Sequence, residues 1–280
     1  MRLISLILIS FTLNSFNVFP SENIIFSELQ DSFLNKYREA HYNLKLIEFE
    51  PELKLAIRGI NEPERSTMKA LLSYSKLSLS LENDYESVYF KEFAENAKKA
   101  IELSENVLKK DPEDIGAKLN LGLIYGLKGG VSLGYQKDYF DAYQFGSKGV
   151  SLLNEVYQKN PEFHDLELSK GILKIMIAQS TWYVRWLAPI ILESGSIPEG
   201  VYHLEQVIEN GTYISHEALL AHVLLLWGDI DEKYLKKSTA ALVKFIKIYP
   251  ENLQIYVVLA RGFWLLEEFE KSDYYALQGI

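Results

Sequence analysis

Cysteine is absent from the 280 residues of the chain. This absence excludes disulfide bonds, thiolate metal sites and a cysteine nucleophile, so non-covalent packing must hold the fold together. It also excludes the lipid anchor that bacterial lipoproteins carry on a cysteine directly after the signal segment. Basic residues are in deficit, with 29 Lys and Arg against 38 Asp and Glu and a formal net charge of −9. Because an acidic surface repels phosphate backbones and no Lys/Arg stripe offsets this, nucleic acid is not an expected partner.

Long apolar runs are scarce, and the one at the start of the chain has a recognisable layout. Arg2 is followed by a largely apolar run from Leu3 to Leu13, and then by polar residues and Pro20. A charged start, a short hydrophobic segment and a polar exit are typical of a secretory signal peptide, whereas a membrane-spanning helix needs roughly 20 apolar residues. We expect residues 1–20 to be a cleaved signal peptide, with an uncleaved anchor or a buried first helix as alternatives. The mature protein is then expected to be periplasmic or secreted, without a membrane span.

Proline is also rare, but its positions are ordered. Of the eight prolines, six are followed by glutamate. The six are Pro51, Pro63, Pro112, Pro161, Pro198 and Pro250. Proline is tolerated in the first helical turn, and a carboxylate there meets the positive end of the helix dipole. Ser196 with Glu199 forms a capping box. Other potential capping residues lie near the prolines; these are Asn61, Asp111 and Asn160. The Pro-Glu pairs therefore predict helix starts.

Between these starts the apolar residues recur at helical spacing. Ala97, Ala100 and Ser104 fall on one side of a helix, as do Leu121 and Tyr125 further along. Apolar residues make up 48% of the chain, which is enough for a substantial core, and no alternating strand pattern with hairpin turns occurs. The sequence therefore predicts an all-α fold.

Two stretches share a pattern that indicates a helical repeat. They place Leu121, Gly122 and Tyr125 after Pro112, and Leu259, Ala260 and Phe263 after Pro250. This pattern resembles the tetratricopeptide repeat family, particularly bacterial extracytoplasmic members. The resemblance implies an irregular right-handed α-solenoid of antiparallel helix pairs over residues 66–280, with residues 21–65 as an N-terminal helical segment. The period departs from the family, since Pro112, Pro161 and Pro250 are 49 and 89 residues apart rather than multiples of about 34. Lys118 also replaces the aromatic expected in the first helix.

Residues with catalytic or metal-binding potential are few. His216-Glu217 followed by His222 approaches a zinc-peptidase motif, but two ligands on one helix face must be three or four residues apart, not six. We expect these histidines at the edge of the core. The glycines around Gly122 lack a phosphate-binding pattern, so we expect close helix packing at Gly122 and a helix end at Gly129-Gly130. No catalytic residue, metal site or cofactor is predicted.

Two Arg-Trp pairs are the candidate binding residues. Arg185 lies near Trp182, and Arg261 lies near Trp264 on the last repeat-like first helix. Arginine and tryptophan are enriched in the residues that dominate binding energy at interfaces. The alternative is that the tryptophans are core residues and the arginines extend to solvent.

These observations predict a binding protein without catalytic activity. Stacked helical hairpins expose an extended surface for a protein or peptide partner, so we expect an exported scaffold that mediates protein–protein interaction in the cell envelope. The alternative is a transport accessory in the periplasm that binds a small ligand or docks on a solute-binding protein. An enzyme is the third and least favoured class.

Overall fold

The computed structural model describes residues 28–79, 87–179, 194–211, 214–226 and 232–279. These residues form twelve α-helices and contain no β-strand. The helices are α1 Glu28–Tyr42, α2 Glu50–Arg58, α3 Glu64–Leu79, α4 Val88–Leu108, α5 Ile115–Val131, α6 Tyr139–Lys159, α7 Glu167–Gln179, α8 Ile197–Asn210, α9 Ser215–Leu226, α10 Glu232–Ile248, α11 Leu253–Leu265 and α12 Phe269–Gln278. A π-helical turn, Ser132–Gln136, separates α5 from α6, and a 3₁₀ turn, His164–Leu166, precedes α7. The predicted all-α class is confirmed.

The Pro-Glu pairs lie at or just before helix starts. Pro51 and Pro198 occupy the first turns of α2 and α8, and the other four lie in the turns that lead into the next helix. The capping box is borne out on one side, because the Ser196 hydroxyl accepts a hydrogen bond from the Glu199 amide. The cap of α5 is Asp114 rather than Asp111, since its carboxylate accepts from the amide of Ala117. Proline therefore marks the start region, and a nearby polar residue accepts from an amide of the first helical turn at Ser196 and Asp114.

Helices that follow one another in the described part of the chain pack as pairs. The most extensive contacts join α3 to α4, α5 to α6, α7 to α8 and α11 to α12. Further contacts join α3 to α5 and α7 to α9, so the first helix of one pair also meets the first helix of a neighbouring pair. Among the described residues, the buried apolar side chains form three successive clusters rather than one centre. The helix-pair packing expected from the sequence is confirmed.

Glycines form the closest contacts between paired helices. A Cβ atom added at Gly122 of α5 would lie 2.7 Å from Leu153 Cδ2 of α6, and one at Gly149 of α6 would lie 2.9 Å from the Gly122 carbonyl oxygen. The α7–α8 pair repeats this arrangement, because a Cβ at Gly171 would lie 2.9 Å from the Gly200 carbonyl oxygen. Any side chain at these positions would push the helices apart. The prediction of close packing at Gly122 is confirmed.

The prediction that a helix ends at Gly129-Gly130 is wrong. Helix α5 continues through both glycines to Val131, and the chain turns only after the π-helical segment, at Lys137, whose φ is 54°. A Cβ at Gly129 would lie 3.1 Å from the backbone nitrogen of Gly146 on α6. Gly129 therefore extends the α5–α6 contact by another two turns instead of ending the helix.

The first helix connects regions that are distant in sequence. The Tyr37 hydroxyl of α1 is hydrogen-bonded to the Ser75 hydroxyl of α3. At the end of α1, the Tyr42 carbonyl oxygen accepts a hydrogen bond of 2.9 Å from the Asn252 side chain, and Lys45 forms an ion pair of 2.5 Å with Glu251. Helix α1 therefore joins the α3 region to the turn between α10 and α11. The described part of segment 21–65 shares its core with α3 to α6.

Candidate functional site

The predicted pair of Arg261 and Trp264 lies on α11, where both side chains are exposed to solvent. The Trp264 side chain is 59% exposed, and Arg261, one turn before it, is also exposed. Leu253 and Val257 precede them by successive turns and are 47% and 57% exposed. Residues at these spacings share one side of a helix. We call this surface, formed by Leu253, Val257, Arg261 and Trp264, the α11 face.

The opposite side of α11 fixes the helix in place. Ile255, Leu259, Gly262 and Phe263 are buried there, and the Phe263 ring stacks on Tyr275 of α12 with 5.3 Å between ring centres. A Cβ atom added at Gly262 would lie 2.9 Å from the Thr239 hydroxyl oxygen of α10. At its start, the Asn252 side chain accepts from the Ile255 amide. The α11 face therefore projects from a rigid support, which lowers the entropic cost of binding.

The sequence pattern found only part of this surface. Arg261 and Trp264 were predicted, but Leu253 and Val257 were not, because an apolar residue on a helix gives no sign of whether a neighbour covers it. Helix α12 exposes three further large apolar side chains beside α11: Phe269, Tyr274 and Leu277. The other predicted pair, Trp182 and Arg185, lies outside the described residues.

His216 and Glu217 belong to a buried joint between α1, α9 and α10. We define the joint as Tyr42, His216, Glu217, Phe245 and Tyr249. The Tyr42 ring centre lies 5.3 Å from that of His216, 5.3 Å from that of Phe245 and 5.1 Å from that of Tyr249. The Tyr42 hydroxyl hydrogen-bonds the Glu217 carboxyl, and each residue is only 1% exposed. The joint attaches the end of α1 to the C-terminal half of the chain.

Burial controls the charge in this joint. It raises the pKa of the Glu217 carboxyl to about 8 and lowers the pKa of His216 to about 4. At neutral pH the carboxyl is therefore mainly protonated and the imidazole is neutral, so the joint holds little net charge despite its ionisable groups. A protonated carboxyl and neutral rings pack together without an unpaired buried charge.

Three further histidines form hydrogen bonds with side chains of other elements or of the next helix. His222, only 1% exposed, places its Nδ1 atom 2.6 Å from the Ser238 hydroxyl. His164 and His203 each place a ring nitrogen 2.8 Å from the Glu167 carboxylate, which also accepts from the Tyr157 hydroxyl. Burial alone would raise the pKa of Glu167, but these hydrogen bonds outweigh it and hold that pKa below its ordinary value. The group connects α6, α7 and α8.

A metal site requires at least three His, Asp or Glu side chains around one point. The described part of the chain contains no group of this kind that could hold a metal ion. His216 and His222, the two histidines of the zinc-like motif, contact different neighbours: the first meets the aromatic rings of the joint, and the second meets Ser238. The sequence predicted His222 at the edge of the core. It lies inside the core instead, because its ring is enclosed between α9 and α10.

Comparison with other proteins gives no relative. No protein-family model, curated protein or solved structure matches this chain. Within the residues described, every helix is too short or too polar to cross a bilayer.

Proposed function

We propose that this chain is a non-catalytic binding protein that presents the α11 face to a protein or peptide partner. The observation that carries the proposal is the exposure of an aromatic side chain, an arginine and two aliphatic side chains on one side of a well-supported helix. Scattered apolar residues are normal on a protein surface, but a contiguous apolar face that includes Trp and Arg is characteristic of interfaces. Three turns of α11 carry this face over a length of about 16 Å, which suits a short helix or an extended segment of the partner.

The architecture that we propose for this role is an α-solenoid related to the tetratricopeptide repeats. Support comes from the contacts between successive helix pairs, from the contacts between their first helices, and from the glycine seams in α5–α6 and α7–α8. In such an array each unit contacts its neighbours, and a side that no neighbour covers is free to bind a partner. Among the described residues, no helix covers the α11 face.

We further propose that the protein acts in the cell envelope, as a periplasmic or secreted scaffold. The support is the order of residues in 1–20, in which a basic residue, a short apolar run and a polar exit follow one another. Edman sequencing of the protein recovered from cells tests this part. A mature chain that begins between Ser15 and Ser21 is expected, and an intact Met1 on the recovered protein would contradict it.

A pull-down with matched variants tests the α11 face. The baits are the wild-type chain, Trp264→Ala, and Phe140→Ala, which removes an aromatic ring that is 67% exposed on α6. We expect a discrete partner to be retained by wild type and by Phe140→Ala, and to be lost from Trp264→Ala, because a buried interfacial Trp contributes about 2 kcal/mol or more. Identical retention on all three baits would contradict a role for this surface.

A further inference from the structure

A cleft between α2, α3 and α4 has a composition that differs sharply from the rest of the chain. Its volume is about 410 Å³, which lies within the roughly 300–1,000 Å³ of small-molecule sites. Five cationic side chains and one carboxylate line it, in a chain whose net charge is −9. The cations are Lys54, Arg58, Arg65, Lys69 and Lys76, and the carboxylate is Glu92. We call this the cationic cleft.

Two of the five cations are neutralised by acidic side chains of the protein. The Lys76 side chain is only 2% exposed, and its ammonium lies 2.8 Å from Glu50 and 3.3 Å from Glu92. Lys54 shares Glu50 at 2.7 Å. These pairs build the wall of the cleft, because a buried ammonium needs carboxylate partners to offset its desolvation.

The other three cations have no carboxylate within ion-pair distance among the described residues. Arg58 and Lys69 are exposed, while Arg65 is half-buried and uses its Nε atom to donate a 2.6 Å hydrogen bond to the Ile60 carbonyl oxygen. That bond orients the guanidinium but leaves its charge uncompensated. Three positive groups around one concavity attract an anion, and guanidinium groups match the two oxygens of a carboxylate or phosphate.

The lining also includes an apolar part. Ile57 and Leu72 line the cleft but are only 1% and 3% exposed. They therefore leave little apolar surface for a ligand to cover, and the charged side chains carry the recognition. A volume of about 410 Å³ has room for a small organic molecule that bears the anionic group.

We propose that the cationic cleft binds a small organic anion, with a carboxylate or phosphate group held by Arg58, Arg65 and Lys69. The site is distinct from the α11 face, which lies on other helices. It gives the small-ligand role considered from the sequence a defined location and a chemical class of ligand.

Calorimetric titration with simple probes tests this proposal on the full chain. The probes are hexanoate and hexyl phosphate, with hexanol as the neutral control. We expect at least one of the anions to bind with a Kd below about 1 mM and hexanol not to bind, with affinity falling between low and high salt because the anionic group is held by charge. Failure of both anions to bind at low salt, or equal binding of hexanol, would overturn the proposal.

Matched variants locate the site. Arg58→Gln/Lys69→Gln removes two exposed positive charges from the cleft, and Lys244→Gln/Lys247→Gln removes two exposed charges from α10. We expect the first variant to bind the anion at least about tenfold more weakly and the second to bind as wild type does. Circular dichroism melting checks that both are folded, and the single variant Lys69→Gln replaces the first if it is not. Equal weakening in both variants would show a general charge effect and overturn the site.

Vesicles separate a free anion from a lipid head group. Sedimentation is measured with phosphatidylglycerol vesicles and with phosphatidylcholine vesicles. We expect wild type and Arg58→Gln/Lys69→Gln to cosediment with each kind of vesicle to the same extent. Binding to phosphatidylglycerol vesicles that the cleft variant abolishes, together with no binding of the soluble anions, would assign the cleft to a membrane surface and overturn the proposal of a small free ligand. The outcome for the cationic cleft does not decide the proposal for the α11 face, because that face is tested with different variants.

Discussion

The α5–α6 and α11–α12 pairs carry the two best copies of the same sequence pattern, yet they differ in what covers them. In α5, twelve of 17 residues are buried, because α4 lies on one side and α6 on the other. In α11, four of 13 residues are buried, and one whole side faces solvent. The comparison shows that the pattern determines how a helix packs on its partner, whereas the helices that contact its other side determine whether that side is core or surface.

Breaking the α5–α6 seam should have the largest effect on stability. Gly122→Leu places a side chain where a Cβ alone would lie 2.7 Å from Leu153, so we expect a loss in the upper part of the range of about 1–3 kcal/mol. Chemical denaturation measured by circular dichroism gives the change. An unchanged free energy of unfolding would show that the pair does not pack through this glycine.

The second effect depends on pH and concerns the joint that attaches α1 near the start of α11. Burial raises the pKa of Glu217 from 4.5 to about 8. Between these two pH values the folded chain keeps a proton that the unfolded chain releases, so the free energy of unfolding falls as the pH rises. Burial lowers the pKa of each of His41, His216 and His222 to about 4, so their contribution is lost as pH falls from about 6.5 to 4. We expect maximal stability between about pH 6.5 and 7. From there to pH 8 the Glu217 carboxyl should cost about 1.5 kcal/mol, of which the three histidines offset about 1 kcal/mol.

Glu217→Gln isolates the contribution of the carboxyl. Glutamine keeps the shape of the protonated side chain and its ability to accept from Tyr42, but it does not titrate. The decline in the free energy of unfolding between pH 6.5 and 8 should therefore disappear, while the exposed control Glu52→Gln should retain it. A decline that persists in Glu217→Gln would place its origin outside the joint.

A smaller effect separates two neighbouring glycines of α6. A Cβ at Gly149 would lie 2.9 Å from the Gly122 carbonyl oxygen, whereas one at Gly146 has nothing within 4 Å. We expect Gly149→Ala to destabilise the fold by about 1 kcal/mol, because backbone atoms must move, and Gly146→Ala to stabilise it by about 0.5–1 kcal/mol, because alanine favours the helix. Effects of the same sign in thermal melts would contradict the packing of the seam.

The smallest effect on stability is expected at α11, which sharpens the contrast between the two pairs. Trp264 is 59% exposed, so Trp264→Ala should change the free energy of unfolding by no more than about 0.5 kcal/mol. Denaturation midpoints of this variant and of wild type give the comparison. A loss comparable with that of Gly122→Leu would mean that Trp264 is a core residue, which was the alternative left open by the sequence.

Local features of this fold could be predicted from the sequence, and contacts between distant segments could not. The Pro-Glu pairs and Ser196 marked helix starts, and Gly122 marked a helix contact, because capping and close packing depend on nearby residues. The end expected at Gly129 failed because a glycine that admits a neighbouring helix has the same local pattern as one that ends a helix. Lys118, where an aromatic was expected, instead pairs with Glu113 and Glu155, which connects α5 to α6.

The candidate sites show the same limit. Arg261 and Trp264 were predicted because their chemistry is typical of interfaces, but the contributions of Leu253 and Val257 depend on which side of α11 is uncovered. The joint brings Tyr42 to Glu217 and Phe245, and the cationic cleft brings α2 to α3 and α4. No spacing rule predicts such contacts, because they arise from how the chain returns on itself.

Photo-crosslinking from position 264 tests most directly whether the exposed α11 face is a partner surface. A benzophenone amino acid is placed at position 264 and, as a control, at position 55, where the native Leu55 is 65% exposed on α2. We predict one discrete adduct from position 264 in intact cells, absent from position 55 and reduced when excess wild-type chain, but not Trp264→Ala, competes. Equal adducts from both positions, or none from position 264, would contradict the account.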